Sequence, residues 1–236
     1  FNDKVWDVVG QSLHSVTMHY RSSDGEEGFP GNLDVTVEYS LSRDSALHIN
    51  YKATTDQPTV LNLTNHAYFN LKGEGEGTIH DHTLQVLSDE YIPYNEETLP
   101  IGTVAPVEGT PMDFRQPTLV GERINLPFFA PGLGIDNGWA LPGWNAKKRN
   151  SAPQKVAVVE GGNLTMEVWT NFPCLQVYTG NYVEKHEGKS GRMYDVQTAI
   201  CLEAEDFPDA VNQPAFPTTV LRPGETFRRE TIYKFV

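Results

Sequence analysis

An all-β fold, sandwich or barrel, follows from three observations on this sequence. Apolar and polar residues alternate with a period of two in several stretches rich in β-branched and aromatic side chains. Clusters of Gly, Pro, Asn and Asp separate those stretches. No long segment carries a 3.6-residue apolar period with helix caps. Taken in order, "LDVTVEYSL" (33–41) puts Leu33, Val35, Val37, Tyr39 and Leu41 on one face. "LNLTNHAYFNL" (61–71) reads as a buried strand that carries Asn62, Asn65 and His66 close together. "LTMEVWT" (164–170), "LQVYTGNY" (175–182), "AICLEAE" (199–205) and "ETFRRETIYKF" (225–235) alternate in the same way. Turns are expected at "SSDGEEGFPG", "KGEGEG", "APGLG", "PGWN", "EGG" and "RPGE". With 20 Gly and 16 Pro, and no linker or repeat, residues 1–236 read as a single domain.

The formal charge of −13 disfavours nucleic acid and phosphorylated partners. The one short basic run, Lys147, Lys148 and Arg149, reads as a solvated loop. No apolar stretch is long enough for a membrane span. The chain opens at Phe1 without a leader-like segment. Cys174 and Cys201 lie in apolar runs and read as buried free thiols rather than a disulfide framework. A cytoplasmic location is the expectation, although a secreted chain whose leader has been removed leaves the same trace. Two N-x-T sequons occur, at Asn62 and Asn163; a glycan does not suit the first, inside a strand-like run.

Three groups could do chemistry. Glu203 and Glu205, two apart on one strand, share a face with Cα atoms roughly 6.5–7 Å apart. Apolar neighbours suggest that Glu203 is partly buried, and such a carboxylate has a raised pKa suited to general acid or base work. His66 is the second: an ordinary imidazole titrates at about pH 6.5 and donates a proton near neutrality. Each has a plain structural alternative, a solvated strand face or a buried His satisfied by the backbone. Asp136, in "GIDNGWAL", is the third. A carboxylate beside an exposed aromatic such as Trp139 can hold a sugar, though an ordinary turn Asp fits the spacing as well. "HDH" (80–82) places two His on one strand face, a weak metal pattern without a third ligand. A Gly-x-Ser-x-Gly elbow, a phosphate-cradling Gly loop and a zinc helix are not read.

The long motifs "LNLTNHAYFNL", "HDHTLQVLSDEYIPYNEETLPIGTVAPVEGTPMDFRQP", "LQVYTGNY" and "ICLEAEDFPDAVNQPAFPTTVLRPGETF" resemble the aldose 1-epimerases, or galactose mutarotases, in the family's order from about Val5 to Phe235. The resemblance implies a large antiparallel β-sandwich of the mutarotase type. It implies interconversion of the α and β anomers of free hexoses such as galactose and glucose, with no cofactor and no metal. By position it implies Glu203 as general base, His66 as general acid toward the ring oxygen, and Asp136 and Gln176 as sugar ligands, with Asn65 as a further contact or a group that orients His66.

Three departures from the family pattern stand out. Its chains begin well upstream of Phe1, with an Asn-Arg pair and a second His in His-Gly-Gly, so this chain is expected to be a piece of a longer one or to lack part of the pocket's polar set. Ile135, Asn137 and Gly138 replace the usual neighbours of Asp136. Glu205 stands where Gln is common. The alternatives carried forward are a non-catalytic sugar-binding protein on the same scaffold, a hexose-phosphate epimerase relative and a glycosidase on the Glu203–Glu205 face.

Overall fold

The computed structural model describes residues 1–145 and 151–236. The basic run Lys147, Lys148 and Arg149 lies outside the described residues. In chain order the strands are β1 (Asp7–Gln11), β2 (Ser15–Ser22), β3 (Leu33–Leu41), β4 (Ala46–Thr55), β5 (Thr59–Val60), β6 (Thr83–Val86), β7 (Glu90–Tyr91), β8 (Ala105–Pro106) and β9 (Thr118–Leu119). They continue as β10 (Asp136–Ala140), β11 (Gln154–Gly161), β12 (Leu164–Thr170), β13 (Cys174–Tyr178), β14 (His186–Glu187), β15 (Met193–Tyr194), β16 (Cys201–Glu205), β17 (Val220–Leu221) and β18 (Phe227–Phe235). Among the described residues the one α-helix is a single turn, Val120–Arg123.

Two antiparallel sheets form a sandwich. The larger runs β1-β2-β3-β4-β18-β12-β11-β6-β9 and the smaller β16-β13-β10-β7-β8. Their facing sides interdigitate. Val35, Ile49, Val159, Val168 and Tyr233 come from the larger sheet; Trp139, Leu175, Val177, Leu202 and Ala204 come from the smaller. Burial of a Val- or Leu-sized side chain stabilises by roughly 1.5–3 kcal/mol, so this layer is the main driving force. The apolar face of β3 is buried at Leu33, Val35 and Val37, but Leu41 is 61% exposed where the strand outruns the core.

The stretch 61–71 is not the strand that its composition suggests. β5 pairs with β17 and stops at Val60; beyond it only Phe69 makes a ladder contact, a bridge to Ile200. Asn62 and Thr64 explain the difference, because their side chains take over the bonds a strand would make with its backbone. Asn62 Nδ2 donates to Asp206 O at 2.9 Å, and Asp206 N donates back to Asn62 Oδ1 at 2.9 Å. Thr64 Oγ1 donates to Ala204 O at 2.9 Å. The segment thus covers the free edge of β16 without becoming a strand, and an edge so covered is closed to outside chains.

Period two then divides the smaller sheet. Leu202, Ala204, Leu175, Val177 and Trp139 face the core. Cys201, Glu203 and Glu205 on β16, Gln176 and Tyr178 on β13, and Asp136 and Gly138 on β10 face the other way. One end of that outer face is covered by a small apolar cluster with Ile92, Cys174, Phe207 and Phe216. The other end is open.

Candidate active site

The open end is a cleft of about 530 Å³. Its floor is the polar row just described. The register sets it: Gln176 stands opposite Glu203 on one side and Gly138 on the other, and Asp136 stands opposite Tyr178. Gln176 Nε2 donates to Asp136 Oδ1 at 2.7 Å, and Tyr94 Oη donates to Gln176 Oε1 at 2.9 Å. The amide is thereby held in one orientation. Gly138 leaves the room: a Cβ there would lie 3.1 Å from Tyr94 Oη and 3.2 Å from both Cys174 Sγ and Gln176 Oε1.

His66 reaches this row from the covering segment. Its Nε2 lies 3.4 Å from Glu203 Oε1. Tyr68 stacks on the imidazole with ring centroids 4.8 Å apart and a tilt of 24°, and Tyr178 meets it edge-on at 5.8 Å. These rings fix the imidazole plane and leave its side chain 47% exposed to the cleft, against 10% for Glu203.

The carboxylates are set by burial. Desolvation, helped by the charge of Asp136, raises Glu203 to about 7. Asp136 is itself raised by burial, with Gln176 and His66 pulling the other way. Glu205 is raised to about 8, first by desolvation and then by the charges of Glu203 and Asp206. Burial is thus the main reason both carboxyls hold their protons well above the usual range, and the charge of Glu203, once formed, further opposes ionisation of Glu205. An ionisable base with a half-point near neutrality, beside an imidazole, is equipped for proton transfer.

The structure brings Glu203, His66, Asp136 and Gln176 into one cleft. Asn65 is elsewhere. It does not line the cleft; its Oδ1 accepts from Tyr233 Oη at 3.2 Å, beside a neighbouring cavity that His66 also borders. Trp139 is not the aromatic partner of Asp136. Three positions along a strand reverse the face, and Trp139 is fully buried, donating from Nε1 to Met112 O at 3.1 Å. The aromatic walls are instead Tyr68, Tyr94, Tyr178 and Tyr182. Tyr178 could have been found by counting two from Gln176; Tyr94 carried no local signal. "HDH" lies in a turn before β6, not on a strand face. His80 Nε2 bonds Gln197 Oε1 at 2.7 Å, and buried His82 accepts from Leu71 N at 3.0 Å.

The chain is similar to several named proteins across its length. Galactose mutarotase of Rattus norvegicus is 42% identical over 215 residues, 91% of this chain and 60% of that protein. Galactose mutarotase of Mus musculus is 41% identical over 237 residues, 100% of this chain and 66% of that protein. Aldose 1-epimerase of Escherichia coli K12 is 35% identical over 243 residues, covering 68% of that protein. The chain thus spans roughly two thirds or less of these relatives' lengths. Among solved structures, the GalM/aldose epimerase homologue from C. elegans superposes with a TM-score of 0.83 at 27% identity, over 98% of this chain and 68% of that one. Galactose 1-epimerase from Lactobacillus acidophilus gives 0.78 at 27% identity, over 99% and 67%. These likenesses extend across the whole sandwich, and the aldose 1-epimerase family model matches residues 1–234, so the chain belongs to the aldose 1-epimerase family.

Proposed function

We propose that this chain acts on free hexoses such as galactose and glucose, interconverting their α and β anomers. One observation carries the reading: an imidazole stands 3.4 Å from a carboxylate whose half-point burial raises to about 7, at a cleft floor. Opening a cyclic hemiacetal needs one proton taken from the C1 hydroxyl and one given to the ring oxygen. Both oxygens hang on the same carbon, so acid and base must stand close together. Glu203, ionised, takes the hydroxyl proton while His66, protonated, gives one to the ring oxygen. The C1–O5 bond breaks, the carbonyl forms, and rotation about C1–C2 presents its other face. Reclosure returns both protons. Asp136 and Gln176 accept and donate hydrogen bonds to sugar hydroxyls, and the tyrosine rings take the sugar's C–H face.

Residues 1–236 are read as one domain, and the two buried free thiols favour a cytoplasmic setting. Among the described residues no helix is long and apolar enough to cross a membrane.

The test is polarimetry. Freshly dissolved α-D-galactose or α-D-glucose is followed with and without the protein at neutral pH. Faster decay of rotation supports the reading; decay at the buffer rate while sugar still binds turns the cleft into a binding site alone.

A further inference from the structure

Cys201 has no part in the reaction above, yet its side chain lies on the same face as Glu203, two residues away on β16. Among the described residues there is one group in which three metal-ligating side chains converge: His66, Cys201 and Glu203, whose ligand atoms all lie within 4.8 Å of one another. Here β16 supplies two donors from one strand face, and the covering segment supplies the third.

We propose that His66, Cys201 and Glu203 form a three-ligand site for a thiophilic divalent cation of the zinc class, and that its occupancy shuts off the chemistry of the cleft. The donor set is one imidazole nitrogen, one sulfur and one carboxylate oxygen. That mixture suits Zn²⁺ and its soft neighbours, and it is wrong for Mg²⁺ or Ca²⁺, which take oxygen. Zinc bonds of about 2.0–2.3 Å put ligands of a tetrahedral site roughly 3.3–3.8 Å apart. The group must contract by about 1 Å to reach this, and the half-exposed imidazole, held by its ring contacts rather than by a hydrogen bond, is the member that would shift. His66 and Glu203 line the cleft, so a cation on the three would be reached from that side.

Burial, and then the charges of neighbouring carboxylates, hold the Cys201 thiol and Glu203 in their protonated forms, a bias that a bound cation would have to reverse; Asp136 is one of those carboxylates, and the chain carries a net charge of −13. Binding would release the Cys201 thiol proton to solvent, leaving a thiolate on the metal. The cation would occupy the Glu203 oxygen and the His66 lone pair together. Neither group could then exchange a proton with a sugar. The inhibitory half of this proposal rests on the mutarotase reading; the binding half does not.

The experiment separates the two. The full chain is titrated with Co²⁺ and followed in the near ultraviolet, where a sulfur-to-cobalt charge-transfer band reports a thiolate ligand. The band is expected in the parent and in Cys174→Ser, and absent in Cys201→Ser. Zn²⁺ added afterwards should abolish it by displacement. Absence of the band from the parent, or its survival in Cys201→Ser, overturns the site whatever the enzyme does. Mutarotation rates are then compared with and without Zn²⁺. The ratio should fall steeply in the parent and stay near one in Cys201→Ser; equal inhibition of both places the inhibitory metal elsewhere and overturns the second half. A chain with no mutarotation at all but an intact cobalt band refutes the mutarotase reading and leaves the metal site standing.

Discussion

His66 Nε2 lies 3.4 Å from Glu203 Oε1, with the carboxylate nearly buried and the imidazole half exposed. Two segments that never pair as strands make this contact. It depends on side chains of 62–64 gripping β16 from outside, so the acid and the base are delivered by different parts of the chain to one carbon of a substrate.

Removing either group should leave a folded protein with little activity. Glu203→Gln and His66→Ala are each expected to slow mutarotation by about 10²–10⁴-fold. The double variant should be little worse than the poorer single one, because acid and base act as a unit. Polarimetry at saturating sugar, with circular dichroism as the folding control, checks this. A loss below tenfold in both singles removes the pair from the mechanism.

The acidic limb of the pH–rate profile should rise through about 7, because Glu203 must be ionised and burial holds its half-point there. Asp136 contributes to that elevation. Asp136→Asn should therefore shift the rise to lower pH while raising KM, since a sugar contact is also lost. An unshifted profile would mean that desolvation alone sets Glu203.

Glu205 offers a stability test. Its half-point is about 8 when folded, against an ordinary value of 4.5. Between those values the folded state holds a proton that the unfolded state has lost, so stability falls as pH rises from about 4.5 to about 8. Below that window the effect is absent; above it the effect is complete. Glu205→Gln removes the penalty and keeps an oxygen for Asn62, which donates to Glu205 Oε2 at 3.4 Å. The variant should match the parent near pH 4 and exceed it by on the order of 3 kcal/mol near pH 9. Urea midpoints at the two pH values decide it. Because burial and Asp136, not Glu205, raise Glu203, the rise of the rate through about 7 should survive the change.

Gly138 makes a spatial prediction rather than a conformational one. A methyl group there meets Tyr94 Oη, Cys174 Sγ and Gln176 Oε1 at 3.1–3.2 Å. Gln176 is the member that can yield, and its bond to Asp136 would go with it. Gly138→Ala is expected to raise KM about tenfold with a smaller change in kcat, a pattern of lost uniform binding. An unchanged KM would show that the amide is not part of the sugar contact.

Much of the polar row was legible because period two is a strict rule. Glu203, Gln176 and Asp136 lie on strands whose apolar partners mark the opposite face, so their common side follows from counting. The same rule exposes the misreading of Trp139, which three steps from Asp136 must point inward. What counting could not supply was the state of 61–66, where Asn and Thr side chains compete with the ladder. Nor could it bring Tyr94 to Gln176, a contact that depends on sheet order across long separations. The ten-residue β4 obeys the same rule, with Ile49, Tyr51 and Ala53 on the buried face and Asn50 and Lys52 between them.

The grip of 62–64 on β16 should be separable from the chemistry it positions. Asn62→Ala removes both the donor to Asp206 O and the acceptor for Asp206 N. Leaving those backbone groups unpaired should cost about 1–3 kcal/mol. Thr64→Val keeps the shape but deletes the bond to Ala204 O, and should cost less, near 1 kcal/mol. Both changes loosen the segment that carries His66 and leave the reacting atoms untouched. The expected signature is a lower urea midpoint together with a fall in kcat, while the pH at which the rate is half-maximal stays in place. If the midpoint falls and kcat does not, the imidazole is held by its stacking with Tyr68 and Tyr178 instead. That would move the positioning role from the hydrogen bonds to the rings.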